Sequence, residues 1–164
     1  MIRLVAQPLT AAAFAPFGDV IETAGASSFR INQGTTVRFH ALATADPGPD
    51  GKAILSIFRG TPRPAPIAIA GLERHPLASQ AFVPLDAADW LIVVAAGERP
   101  TAADCAAFRA GGRQGAQYRR GVWHHPLLVL APEHAFLVVD RAGPGDNLEE
   151  VSFESPAQLV IGDG

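Results

Sequence analysis

The chain has 164 residues, 48% hydrophobic and 18% charged, with a formal net charge of −3. That length fits a single domain around one core, and the composition excludes a disordered chain. The scattered basic residues argue against a nucleic-acid surface. No apolar run approaches the roughly 18 residues of a membrane span, so neither nucleic acid nor membrane is an expected partner. The start, Met1–Pro8, lacks the apolar stretch of a secretory signal, and a cytoplasmic location is expected.

Fourteen prolines and sixteen glycines punctuate short β-leaning runs, the pattern of an all-β sandwich or barrel. Ile2–Val5 reads as a strand. Thr10 can cap a single helical turn from Ala11 to Phe14 before Pro16 stops it. Val20–Thr23 is a second short strand, and the stretches around Phe29–Ile31 and Val37–Phe39 alternate as edge strands do. Asp46–Gly51 is a turn cluster. Ala53–Phe58 is a strand that carries Arg59 on the face of Leu55 and Ile57. Ile67–Leu72 runs into Glu73 and His75, which alternation places on one face, and Gln80–Val83 resumes the strand pattern. Trp90–Ala96 is unbroken apolar, as in a strand buried on both sides. Thr101–Asp104 matches a capping box, and Gly111–Gly112 would end a helix of two to three turns begun there. Ala135–Asp140, Glu149–Phe153 and Gln158–Ile161 complete the strands. The single Cys105 is expected to act as a small buried hydrophobe, not as a nucleophile.

Tyr118-Arg-Arg-Gly-Val-Trp-His-His-Pro-Leu127 carries two adjacent histidines. In a strand they point to opposite faces, so His124 and His125 cannot both serve one pocket. An imidazole aimed into an all-β core must be hydrogen-bonded, ligated or catalytic. Glu73 and His75 from one strand, Gln80 from its neighbour and His124 from a distant strand can converge at one end of a small barrel. Imidazole nitrogens and side-chain oxygens there could hold a divalent metal or an oxyacid. The plainer alternative is an ion-paired Glu73, a surface Gln80 and two hydrogen-bonded core histidines. Trp90 and Trp123 read as core, and His40 and His134 as surface or packing residues.

Glu73-Arg-His-Pro-Leu-Ala-Ser-Gln-Ala-Phe-Val-Pro84 resembles a degenerate first cupin motif, with Glu-x-His…Gln where His-x-His…Glu is usual, and Tyr118–Leu127 resembles the second. Together with Phe17–Glu22, Ile31-Asn-x-Gly34 and the Asp140-Arg141 loop, these strings resemble the ureidoglycolate lyase family over nearly the whole chain. The resemblance implies a cupin-like double-stranded β-barrel (jelly roll) with one or two short helices, and a homodimer. It implies cleavage of ureidoglycolate to glyoxylate and urea in allantoin degradation. It further implies a divalent metal, usually nickel, held by Glu73, His75, Gln80 and His124, although Glu73 and Gln80 replace a histidine and a glutamate, and a metal-free pocket is the alternative.

Breaking the C–N bond of ureidoglycolate needs one base and one acid, and no water. His75 and His124 are the candidates, with Glu73 orienting a ring or ligating the metal. Arg59 is the best-placed candidate fork for the substrate carboxylate, with Arg38, Arg74 and Arg141 as alternatives, Gln80 the candidate for the ureido group, and Tyr118 a further binding candidate. Competing readings are a non-enzymatic cupin that binds a small carboxylate or sugar, and a cupin metalloenzyme of another reaction class.

Overall fold

The computed structural model describes residues 1–162. Strands β1 (Ile2–Val5) and β2 (Gln7–Pro8) precede the one-turn helix α1 (Ala11–Phe14), which Thr10 caps as its sequence predicts, its hydroxyl accepting from the Ala13 N–H at 3.2 Å. Then come β3 (Gly18–Ile21), β4 (Ser28–Ile31), β5 (Thr36–Phe39), β6 (Lys52–Gly60), β7 (Ile67–Arg74), β8 (Gln80–Pro84) and β9 (Trp90–Ala95). The chain continues through β10 (Cys105–Ala110), β11 (Gly115–Tyr118), β12 (Trp123–His124), β13 (Leu128–Val129), β14 (His134–Ala142) and β15 (Glu149–Val160).

Two sheets hold the fold. The larger has the order β1-β15-β7-β12-β9-β10-β2 with β13 added to β9, and the smaller has the order β3-β11-β8-β14-β6. The larger sheet curls until β1 touches β10, and so encloses one core of Leu4, Ile69, Leu91, Val93, Trp123 and Leu159 among others. The smaller sheet packs on the opposite face of β9, β10 and β12, closing a second core that includes Phe14, Phe82, Trp90, Phe108, Tyr118 and Phe136. β9 lies between the two cores: Leu91, Val93 and Ala95 face the first, and Trp90, Ile92 and Val94 the second. Its unbroken apolar sequence is what a strand buried on both faces requires. The result is a cupin-like jelly roll.

The helix expected after Thr101 is a strand. The capping box is real, with Asp104 Oδ2 accepting from both the backbone N–H and the hydroxyl of Thr101 at 2.8 Å. It organises only the 3₁₀ turn Ala102–Asp104. Beyond it, β10 pairs antiparallel with β9 from Cys105↔Ala95 to Ala110↔Trp90. Phe108 and Ala110 enter the second core while Ala107 enters the first. A run rich in alanine suits either structure, and the open edge of β9 decides it through tertiary pairing that outweighs local propensity. The two late strands expected at Glu149 and Gln158 are one long β15, interrupted by a register shift between Ser152 and Ala157.

That shift positions the site. Ile67 and Ile69 of β7 face the first core, yet so does Leu72, so the inward phase of β7 slips by one residue between them. Gly71 permits the close approach, since a Cβ there would lie 2.3 Å from the Val151 carbonyl oxygen. After the slip Leu72 and Arg74 share the first-core side, where the Arg74 guanidinium sits 4.6 Å over the Trp123 ring. Glu73 and His75 are thereby turned to the other side, between the two sheets.

Among the described residues the hairpin β4–β5 pairs only with itself. Most of its residues are exposed, including Phe29, Val37 and Phe39.

Candidate active site

Four strands deliver side chains to one end of the gap between the sheets. Glu73 and His124 are directly paired across β7 and β12, and Tyr118 and Gln80 across β11 and β8. His75 follows β7 immediately. His124 is 1% exposed and stacks on Tyr118 with ring centroids 4.2 Å apart and planes 9° apart. The two imidazoles are 5.1 Å apart, centre to centre. Glu73 Oε1 lies 3.6 Å from His124 Nε2 and 4.0 Å from His75 Nε2.

Backbone carbonyls fix both rings. His124 Nδ1–H donates to the Val122 carbonyl at 2.9 Å, and His75 Nδ1–H to the Asn147 carbonyl at 2.8 Å. This leaves the two Nε2 atoms to the pocket, where they differ. His124 Nε2 is buried with no hydrogen-bond partner. His75 Nε2 lies 3.1 Å from Gln80 Oε1, an acceptor. Both His75 nitrogens therefore lie against oxygen atoms, with the Glu73 carboxylate 4.0 Å from Nε2.

Glu73 is held below the ordinary carboxylate range, first by its interaction with the His124 ring, whose Nε2 lies 3.6 Å away, against the opposing effect of burial, with His75 and His125 adding smaller contributions. Tyr118 is pushed well above the usual phenol range by burial, with the Glu73 charge adding to it, so it remains a neutral phenol.

The chemistry of this donor set also fits a divalent cation. Glu73, His75 and His124 each offer an atom within 4.8 Å of the others, and Gln80 Oε1 adds a fourth. Two imidazole nitrogens with a carboxylate and an amide oxygen form a borderline-to-hard set. Each ring has its other nitrogen held by a carbonyl, as metal-ligating histidines normally do. The unpartnered His124 Nε2 is a lone pair that such an ion would satisfy.

The structure therefore brings together Glu73, His75, Gln80, His124 and Tyr118. It does not bring Arg59 to them. Arg59 is exposed on β6 and pairs with Glu133 at 3.4 Å. Its ladder partner is Ala135, five residues along β14 from Asp140, about 17 Å at the usual rise of a strand.

His125 does turn away from His124, but it is buried. Its ring donates to the Pro126 carbonyl at 2.8 Å, and it lines a groove of about 300 Å³ that also reaches Glu73, Gly71, Glu150 and Ser152. His134 is a packing residue, fully buried 4.3 Å from the Phe136 ring. Burial pushes the Cys105 thiol up to about 11, consistent with an inert hydrophobe.

Two residues that sequence reasoning did not assign to the site take part in it. Asp140 on β14 accepts from the Gln80 amide at 3.3 Å. Asn147 holds His75 through its carbonyl and the Leu77 N–H through its side chain at 2.8 Å. The alternation Phe136, Val138, Asp140 puts a carboxylate at the end of an inward-facing stripe and was a usable signal. Asn147 lies in a loop with no such pattern.

Burial lowers the His125 pKa below 6.5, outweighing its bond to the Pro126 carbonyl. As pH falls below about 6.5 the unfolded chain takes up this proton first, so stability present above that pH declines. The Glu73 contribution is present above 4.5 and declines as pH falls through its lowered value. The melting temperature is expected to be flat from pH 7 to 8 and to fall in two stages on the acid side. His125→Asn should remove the upper stage alone; an unchanged upper stage in thermal melts would assign it to another group.

A jelly roll with a histidine–carboxylate cluster between its sheets has the architecture of a cupin. The family model described as ureidoglycolate lyase matches residues 1–160, and the chain belongs to that family. It is 54% identical over 163 residues to the ureidoglycolate lyase of Pseudomonas syringae pv. tomato, covering 98% of this chain and 96% of the relative. It is 52% identical to the ureidoglycolate lyases of Pseudomonas putida (strain W619) and Pseudomonas entomophila, each covering 98% of both chains. Among the described residues no helix is long and apolar enough to cross a membrane.

Proposed function

We propose that this chain cleaves ureidoglycolate to glyoxylate and urea, and that His124 and His75 divide the proton transfers. The observation that carries this is the difference between two rings anchored alike: His124 Nε2 has no partner, while His75 Nε2 faces the Gln80 amide oxygen at 3.1 Å. In ureidoglycolate the hydroxyl and the ureido nitrogen sit on the same carbon. His124 Nε2 takes the hydroxyl proton, the C–O bond becomes a carbonyl as C–N breaks, and His75 Nε2–H gives its proton to the departing nitrogen. Glu73, within 4.0 Å of both Nε2 atoms, stabilises the positive charge as it moves from His75 to His124. The second lone pair of Gln80 Oε1 is placed to accept from a ureido N–H. Stacking on Tyr118 fixes the plane of the His124 ring and keeps water from its face.

A divalent ion, nickel by family resemblance, would be held by Glu73, His75, His124 and Gln80, and it supplies a Lewis acid that lowers the hydroxyl pKa. Histidine and carboxylate ligands bind metal in their deprotonated forms, so metal uptake by EDTA-treated protein should release protons.

The test is product analysis on EDTA-treated protein, with and without added nickel or manganese. Glyoxylate and urea in equal amounts, without ammonia, are expected. A rate that rises with metal assigns the four groups as ligands, and full activity in EDTA assigns them as an acid–base pocket. No glyoxylate above the uncatalysed rate removes the reading.

The exposed apolar face of β6, with Leu55 and Ile57 71% and 57% exposed, and the unsupported β4–β5 arm favour a homodimer. On this reading Arg59, which shares the face of Leu55 and Ile57, lies in the contact between copies. Light scattering of Leu55→Asp should show a halved mass; an unchanged dimer moves the contact elsewhere.

A further inference from the structure

We infer that Asp140 is a positioning residue that locks the Gln80 amide so that its oxygen, not its nitrogen, faces the pocket. The inference rests on the reading of Gln80 as part of the lyase site. The two ends of a carboxamide differ only in hydrogen-bonding character, so their partners decide which way the group points. Gln80 lies between His75 Nε2 at 3.1 Å and Asp140 Oδ2 at 3.3 Å, and is 6% exposed.

Taken alone, the His75 side favours the opposite orientation. With Nδ1–H committed to the Asn147 carbonyl, a neutral His75 has a lone pair on Nε2, and an amide N–H would satisfy it. The Asp140 carboxylate prevents this, because it only accepts and would repel an amide oxygen turned toward it. The carboxylate therefore draws the NH₂ to itself and leaves Oε1 facing His75. Glu73 Oε1 and Gln80 Oε1 then both face His75 Nε2 as acceptors, and Glu73 Oε1 also lies 3.6 Å from His124 Nε2. Gln80 Oε1 and Glu73 Oε1 thus form a pair of oxygen acceptors beside His75, and a flipped amide would break that pair.

This explains how a neutral glutamine can serve at a position where a carboxylate is usual. A carboxylate has no nitrogen end and needs no lock. Glutamine needs a second acceptor behind it, and β14 supplies one in Asp140.

The test has two parts. In EDTA-treated, ¹⁵N-labelled protein, a scalar coupling across an N–H···N hydrogen bond between Gln80 Nε2 and His75 Nε2 should be absent in the native chain and appear in Asp140→Asn, whose NH₂ can donate to the amide oxygen instead. A coupling in the native protein, or none in the variant, overturns the inference.

The second part is a double-mutant cycle on kcat. Asp140→Asn is expected to cost about 10–100-fold in the native background, the usual loss for groups that orient site residues. In the Gln80→Glu background it should raise kcat, because it relieves a carboxylate–carboxylate repulsion and there is no amide left to misorient. A loss of the same size in both backgrounds assigns Asp140 a merely structural role and overturns the inference. If the coupling behaves as expected while no variant, nor the native chain, produces glyoxylate, the lock stands and the lyase reading of the site fails.

Discussion

His124→Ala is expected to lower kcat by about 10²–10⁴-fold while the fold persists. The ring supplies a buried, unpartnered imidazole nitrogen to the site, 3.6 Å from Glu73. Asp140 and Glu73 are acceptors of other kinds, held on opposite sheets by Gln80 and by β7. Truncation also removes the stack on Tyr118, worth roughly 0.5–1.5 kcal/mol. That is small against the 5–15 kcal/mol of a typical domain, so melting should remain cooperative and shift by a few degrees.

His75→Ala should fall in the same range. The double variant should lose far less than the product of the two, because acid and base act in one step. Near-native turnover in His124→Ala, measured on protein with a normal melting curve, would transfer the base function elsewhere. Independent, multiplicative losses would separate the two rings into different steps.

How much of this was legible in the sequence depends on the distance over which each feature is decided. The cap at Thr10, the double-sided burial of β9 and the shared face of Glu73 and His75 are local, set by side-chain chemistry or a two-residue period. They appear where the residues place them. The same reasoning could not see that β7 changes phase before Glu73. The cause lies in β15, some eighty residues away, and in the contact that only Gly71 allows. The helix expected after Thr101 failed for a related reason. Cys-Ala-Ala-Phe-Arg-Ala has no strong local preference, and the unpaired edge of β9 is invisible until the sheet is assembled. Arg59 shows the limit of phase alone. Alternation put it correctly beside Leu55 and Ile57, but that face of β6 looks outward. Asn147 contributes a backbone carbonyl, which every residue has, so nothing in its identity announced the contact with His75.

Trp90→Ala is expected to be the most damaging single substitution for stability, at about 3–5 kcal/mol. Trp90 is 1% exposed and stands where the second core is most aromatic, its ring 5.0 Å from Phe136 and 6.2 Å from Phe82. The surrounding strands are paired on both sides, so they cannot collapse into the space it leaves. The indole N–H donates to the Gln114 carbonyl at 2.9 Å, and that carbonyl is orphaned when the ring is removed. Gln114 in turn holds Leu9 and Glu22 through its side-chain amide, so the loss reaches the start of the chain. A drop of this size takes a third or more of a typical stability and should lower Tm by on the order of 10 °C. Trp90→Phe keeps most of the volume but not the N–H, and should cost less than half as much. Urea denaturation of the two variants separates packing from hydrogen bonding: equal losses would place the whole effect in the Gln114 bond, while a loss below about 1 kcal/mol in Trp90→Ala would show that the gap between the sheets can close. Because Phe82 also touches Tyr118 at 6.0 Å, and Tyr118 stacks on His124, a closing gap would show in turnover as well. Trp90→Ala should therefore lower kcat even at temperatures where the protein remains folded, through loss of the surface that holds the His124 ring in its plane.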